Sequence, residues 1–330
     1  MKNKRIEYID TLKFIAIFAV IGIHGFYLSG GAEILHFKIS EFNQIFRFAV
    51  PLFLMITGAL FLNKEIILEE YLKKRVVRVV YPLIFFTVLI YVTCISNRIL
   101  SYYWYSWMII GALLAIPVIN KFIQHSEEKE IQYYLIIFII FSIINQVLHF
   151  YKLRYALDIS FFYTPVSYLV LGYYIFNKNT DYSPKLKVVL SVLLFIVATI
   201  VKIKTGNYIY SYEFISWLDL SFFQIIQVSS VFIFVKTIYE SKKSLIYKIL
   251  EINVFKKSIL SVSRSSYGMY LVQHPLIFQI IKPIVDSIDM TGTQSFLLCV
   301  FSIIFVFFIS WIIVVILSKV PILNKFSGYA

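Results

Sequence analysis

Apolar residues along this 330-residue chain fall in long blocks, each bounded by short polar or basic stretches. A helix needs about 20 apolar residues to cross a hydrocarbon core of about 30 Å, and ten blocks approach that length: residues 11–30, 42–63, 79–97, 104–122, 132–149, 161–177, 187–203, 218–240, 259–281 and 294–318. None alternates apolar with polar residues as barrel strands do, and an unclosed strand would leave its backbone groups unpaired in lipid. The pattern therefore predicts an all-α, polytopic membrane helix bundle of about ten transmembrane helices, in a single domain spanning residues 1–330.

Composition agrees: 60% of the residues are hydrophobic and 15% charged, where a soluble domain carries about 25% charged residues. The leading "MKNKR" resembles the basic start of a secretory signal. The block after it is too long for a signal core and no small-residue cleavage site follows, so it is expected to be a retained first helix. Cys94 and Cys299 both lie in apolar blocks, which argues against a disulfide framework and a thiolate metal site. No metal is expected. No internal repeat or low-complexity tract stands out, and no additional soluble domain is expected.

Charge sets the expected orientation. Twenty Lys and Arg residues fall in one alternating set of segments: the N-terminus, 64–78, 121–131, 178–187, 241–258 and the C-terminus. The opposite set holds only a few, so the positive-inside rule puts both termini in the cytoplasm of a cell-membrane protein. The net charge of +13 is accounted for by topology and attraction to an anionic leaflet of the lipid bilayer, without nucleic acid. The segment 241–258, "SKKSLIYKILEINVFKKS", suits either a helix lying on the membrane face or an ordinary basic loop.

Ionisable residues inside the blocks bear on function, because such groups usually face a polar cavity or pathway. The first block carries Lys13 and His24, eleven residues apart, which is about three helical turns, so they share a face about 16 Å apart along the axis. Asp10, three residues before Lys13, lies on that face and is placed to orient it. The ninth block, "SILSVSRSSYGMYLVQHPLIFQIIK", carries Arg264 low down and His274 at a depth like that of His24, with Pro275 freeing backbone beside it. Arg47 and Pro51 mark the second block. Arg75 and Arg78, at i and i+3 before the third, share a helix face and suit phosphate oxygens. Taken singly, each of these residues also fits a snorkelling cation, an interhelical hydrogen bond or a topology signal.

In this order they resemble acyltransferase family 3, the integral-membrane acyltransferases of bacterial surface glycans. The family's opening Asp, Arg and His appear as Asp10, Lys13 and His24. "PLFLMITG" at 51–58, Arg75 and Arg78, "SSYGMYLVQH" at 265–274, the Trp-bearing "WYSWMIIGALLAIPVI" and the Gly in "SYLVLGYYI" follow in family order over the whole chain. Lys13 stands where the family has Arg, which keeps charge and loses a planar fork.

The resemblance implies a cytosolic acyl-CoA donor and a sugar hydroxyl acceptor on a cell-surface or lipid-linked glycan. Acetyl-CoA is the expected donor, with succinyl as the alternative acyl group. On this basis Arg75, Arg78 and Lys13 are expected to hold the CoA phosphates, and His24 to act as general base, imidazole titrating close to working pH. Arg47, Asp219, Tyr270 or His274 is expected to orient the acceptor or steady the oxyanion. No G-x-S-x-G elbow occurs, which favours direct transfer. Intramembrane His, Arg and Pro also suit a transporter or flippase for a glycan or lipid-linked sugar, the second function class the sequence leaves open, and a sensor or structural subunit is a third.

Overall fold

The computed structural model describes residues 5–30, 32–34, 37–94, 103–151, 162, 164–209 and 220–329. Helices account for nearly all of them. The long ones are α1 (Glu7–Phe26), α2 (Ala49–Phe61), α4 (Val77–Cys94), α5 (Trp104–His125), α6 (Glu128–Phe150), α7 (Pro165–Asn177), α8 (Pro184–Ile209), α9 (Phe222–Ser241), α11 (Asn253–Pro275) and α13 (Gly292–Lys319). The short helices are α3 (Leu68–Tyr71), α10 (Leu245–Leu250) and α12 (Lys282–Asp286). A two-residue antiparallel hairpin pairs Glu33 with Lys38 and Ile34 with Phe37.

Eight described segments are long and apolar enough to cross a membrane, so this is a membrane protein. Blocks 161–177 and 259–281 do not meet both criteria, for different physical reasons. Helix α7 has only 13 residues, about 20 Å of rise. Helix α11 is long, but Ser261, Ser263, Arg264, Ser265, Ser266 and Gln273 dilute its apolar character, and from Ile259 on most of it is buried within the protein. By contrast α8 exposes Val189, Leu193 and Val197, and α13 exposes Leu297, Phe301 and Phe308. Rows of apolar side chains of that extent call for lipid.

The chain forms two interleaved units. The first comprises Met1–Lys13, Phe48–Glu65 and Ala115–Lys257. Its tightest contact is between α2 and α7, where backbones meet through glycine. A Cβ on Gly58 would lie 1.9 Å from the Leu169 carbonyl oxygen, and one on Gly172 would lie 2.1 Å from that of Met55. Small residues permit such approaches between membrane helices, where packing supplies much of the attraction.

Buried polar groups tie the same unit together. Lys202 donates to Gln224 Oε1 and, at 3.1 Å, to Gln227 Oε1, while Gln227 Nε2 donates to Thr199 Oγ1 at 2.8 Å, linking α8 to α9. Lys236 Nζ donates to the carbonyls of Ile175, Phe176 and Lys178, each at 2.9 Å. The last carbonyls of a helix lack intrahelical donors, so this ammonium closes the C-terminal end of α7. Lys236→Met is expected to destabilise the protein by roughly the 1.5–3 kcal/mol of hydrogen bonds to a charged group, read as a lower melting temperature in detergent. An unchanged melting temperature would refute the capping role.

At the N-terminal end of α1, Arg5 forks onto Asp10 (Nε–Oδ2 2.6 Å, Nη2–Oδ1 2.8 Å), and Lys256 pairs with Glu7 at 2.8 Å and Glu251 at 2.9 Å. These two carboxylates hold the Lys256 ammonium above its ordinary pKa. Within 241–258 the chain forms a helix, α10, started by Ser244, whose hydroxyl accepts from the Tyr247 amide. Ile246 and Ile249 stay exposed on it.

The second unit comprises Phe14–Arg47, Ile66–Leu114 and Ser258–Ala330. Phe14 and Phe18 of α1 pack edge-on against Phe307 of α13. The chain after α13 turns back: Phe326 lies on Phe85 and Tyr81 of α4. The Ser327 carbonyl approaches Gly268 of α11 so closely that a Cβ there would stand 2.2 Å away.

Prolines shape α5 and α11. Pro275 has no N–H for the carbonyl four residues earlier, that of Leu271, and the Tyr103 hydroxyl supplies the donor at 3.0 Å. The same arithmetic applies to Pro117 in α5, whose orphan is the Leu113 carbonyl, and Tyr71 donates to it at 3.0 Å. Beyond Pro275 the helix widens to a π-helical turn at Leu276–Ile281, a form often found at functional sites.

Candidate active site

The two intramembrane histidines meet in the second unit. The His24 and His274 rings lie 5.7 Å apart, edge to face, and the Phe278 ring sits 4.4 Å from His274 and 5.9 Å from His24. His24 Nδ1 is 3.0 Å from Oε1 of Gln273, a contact between residues 249 apart in sequence. With that carboxamide oxygen as the acceptor, the contact fits an imidazole protonated at Nδ1 with its lone pair on Nε2. Arg47, within Coulombic reach of His24, donates from Nη2 to the Tyr27 hydroxyl at 3.1 Å. Backbone packing holds α1 in place here: Gly25 lies directly against Ile303 of α13 and Gly22 against the Phe46 ring.

Helix α11 connects this centre with α4. Tyr270 and Tyr267 stand one and two turns before His274, their rings stacked at 6.3 Å, and Tyr270 meets Tyr105 edge-on at 5.0 Å. The Tyr267 hydroxyl donates to the Val79 carbonyl at 2.9 Å and lies 3.2 Å from Ser106 Oγ. Val79 follows Arg78 in the chain. Arg75, in a π-helical turn at Leu72–Val76, lies near enough to Arg78 for their charges to repel, and both are exposed. Among the described residues, no group of three or more His, Cys, Asp or Glu side chains is gathered to hold a metal ion.

The acyltransferase-domain family model matches residues 6–315, nearly the entire chain and both units. The chain belongs to acyltransferase family 3. No curated protein and no solved structure matches it.

The acyltransferase's motif residues divide between the units. His24, Arg47, Arg75, Arg78, Tyr270 and His274 belong to the second, and within it His24, His274 and Arg47 cluster while Arg75 and Arg78 sit together on the Tyr267 side. Asp10 and Lys13 belong to the first, where Asp10 takes its bidentate partner from Arg5. Asp219 lies outside the described residues. Three glycines in family motifs acquire one explanation: Gly58, Gly172 and Gly268 each sit where another segment's backbone leaves no room for a side chain. Gln273, Tyr267 and Arg5 are the residues sequence reasoning missed. Tyr267 and Gln273 had a signal, their place in "SSYGMYLVQH" with His274.

Proposed function

We propose that this acyltransferase moves an acyl group, with acetyl as the first candidate, from cytosolic acyl-CoA to a sugar hydroxyl of a cell-surface or lipid-linked glycan, with His24 as general base. The chain lies in the cell membrane with both termini cytoplasmic, as its loop charges favour. The observation that carries the proposal is the Nδ1–H bond of His24 to buried Gln273, which leaves Nε2 as a base inside a membrane helix bundle.

In the proposed step His24 Nε2 takes the proton of the acceptor hydroxyl as its oxygen attacks the thioester carbonyl carbon. The carbonyl π pair moves onto oxygen, forming a tetrahedral oxyanion. Its collapse breaks the C–S bond, and the departing CoA thiolate receives the proton from the imidazolium. Base catalysis of this kind contributes about 10²–10⁴ in rate.

Arg75 and Arg78 are proposed to bind the CoA phosphates, joined by Lys13 from the family motif. Their support is exposure and proximity to each other, and the link from α4 to α11 at Tyr267. From Tyr267 to His274 is seven residues, about 10 Å of helical rise along α11. Arg47, His274, Tyr270 and Asp219 are proposed to orient the acceptor.

The test uses purified protein in detergent, with no membrane gradient, given radiolabelled acetyl-CoA and a panel of oligosaccharides and polyprenyl-linked sugars. Acceptor-dependent CoA release is expected. The double variant Arg75→Gln/Arg78→Gln should raise the apparent KM for acetyl-CoA about 10–100-fold, as loss of hydrogen bonds from charged groups implies, with kcat changed by a few-fold at most. Absence of CoA release with every acceptor, together with glycan movement in sealed vesicles, would establish the transport reading instead.

A further inference from the structure

Gln273 combines two observations that the proposed chemistry does not yet use. Its side chain is fully buried. Its carboxamide has one end engaged, with Oε1 accepting from His24 Nδ1, while Nε2 is shielded from solvent and has no hydrogen-bond partner. A buried amide donor without a partner is costly, and proteins keep very few of them. This one lies within a single side chain of the proposed base.

We propose that the Gln273 carboxamide is part of the catalytic centre, holding His24 in the Nδ1–H tautomer through Oε1 and donating from Nε2 to the oxyanion of the acyl-transfer intermediate. The inference rests on the reading of His24 as general base. Two sides of the same amide then serve the two ends of the step. The carbonyl oxygen orients the ring, so that Nε2 of the imidazole receives the acceptor's proton. The N–H, which no protein group accepts, finds its acceptor when the thioester oxygen takes up negative charge. A donor already fixed in place and already desolvated stabilises that charge without reorganising at the moment of reaction. No atom is gained or lost at Gln273 during the cycle, because it lends hydrogen bonds and leaves the proton transfer to His24.

Two variants separate the roles. Gln273→Glu retains an acceptor for His24 Nδ1 and removes the amide donor, whereas Gln273→Met removes both. The full-length protein, labelled with ¹⁵N-histidine in detergent micelles, reports the tautomer directly through the imidazole nitrogen shifts. CoA release from acetyl-CoA reports turnover. The wild type is expected to show the Nδ1–H tautomer at His24, with Gln273→Glu keeping that signature and Gln273→Met losing it. Both variants should lose kcat by about 10²–10³, the usual cost of deleting one oxyanion donor, with KM for acetyl-CoA within about threefold.

An Nε2–H tautomer in the wild type would overturn the proposal, as would Gln273→Glu turning over at the wild-type rate. If the wild type released no CoA, the acyltransfer reading would fail on its own account. The nitrogen shifts would still decide whether Gln273 holds the imidazole. Should Gln273→Met not fold, the wild-type spectrum and the Gln273→Glu kinetics carry the decision.

Discussion

His24→Ala is expected to lower acetyl-CoA-dependent transfer by about 10²–10⁴, the contribution of a positioned general base, while leaving acetyl-CoA binding within a few-fold of wild type. The imidazole makes one described side-chain hydrogen bond, to Gln273, so its removal costs the fold little beyond a small cavity. Arg75 and Arg78, proposed to hold the donor, lie in the turn Leu72–Val76 and in α4. Activity should therefore fall through kcat, and the melting temperature should change by only a few degrees. His24→Gln provides the matching control, since it keeps a polar group of similar reach that cannot take a proton. Both variants should be equally inactive. Turnover within tenfold of wild type in either, in protein shown to be folded, would remove His24 from the chemistry and with it the base assignment.

The largest expected effect on stability belongs to the first unit, at the crossing of α2 and α7. Overpacking in a filled core costs about 1–3 kcal/mol when flexible side chains can move aside. Here the obstacles are the main-chain carbonyls of Leu169 and Met55, which cannot retreat without displacing a helix. Gly58→Ala and Gly172→Ala should each lower the melting temperature clearly, and Gly58→Val should yield no monodisperse protein on size exclusion in detergent. The double variant Gly58→Ala/Gly172→Ala should be worse than either single, because both methyl groups widen the same crossing. Wild-type melting of Gly172→Ala would show that the helices can separate at this point, contrary to the close contact described.

Helix type and order were legible in the chain because apolar blocks of membrane length carry a strong signal, and Lys13 and His24 could be placed on one face from spacing alone. Two blocks proved harder. The short α7 is legible only as an apolar run, since nothing local records that Lys236, about sixty residues later, closes its end. The polar face of α11 is buried by tertiary packing that composition does not report. At the candidate site the histidines and arginines stood out as charges in apolar surroundings, and family motifs reinforced them. Gln273 did not, because a neutral amide carries no periodic or electrostatic signal and its partner lies on a helix 249 residues away. Arg5 escaped for a related reason: it precedes α1, so its fork onto Asp10 does not follow the i, i+3 or i, i+4 rule.

The tyrosine hydroxyls beneath the prolines also bear on biosynthesis. Tyr71 serves the carbonyl left open by Pro117, and Tyr103 the one left open by Pro275. In each pair the donor precedes its carbonyl in the chain, so it emerges from the ribosome first. Each proline-bearing segment is thus made after the hydroxyl that satisfies it in the folded chain.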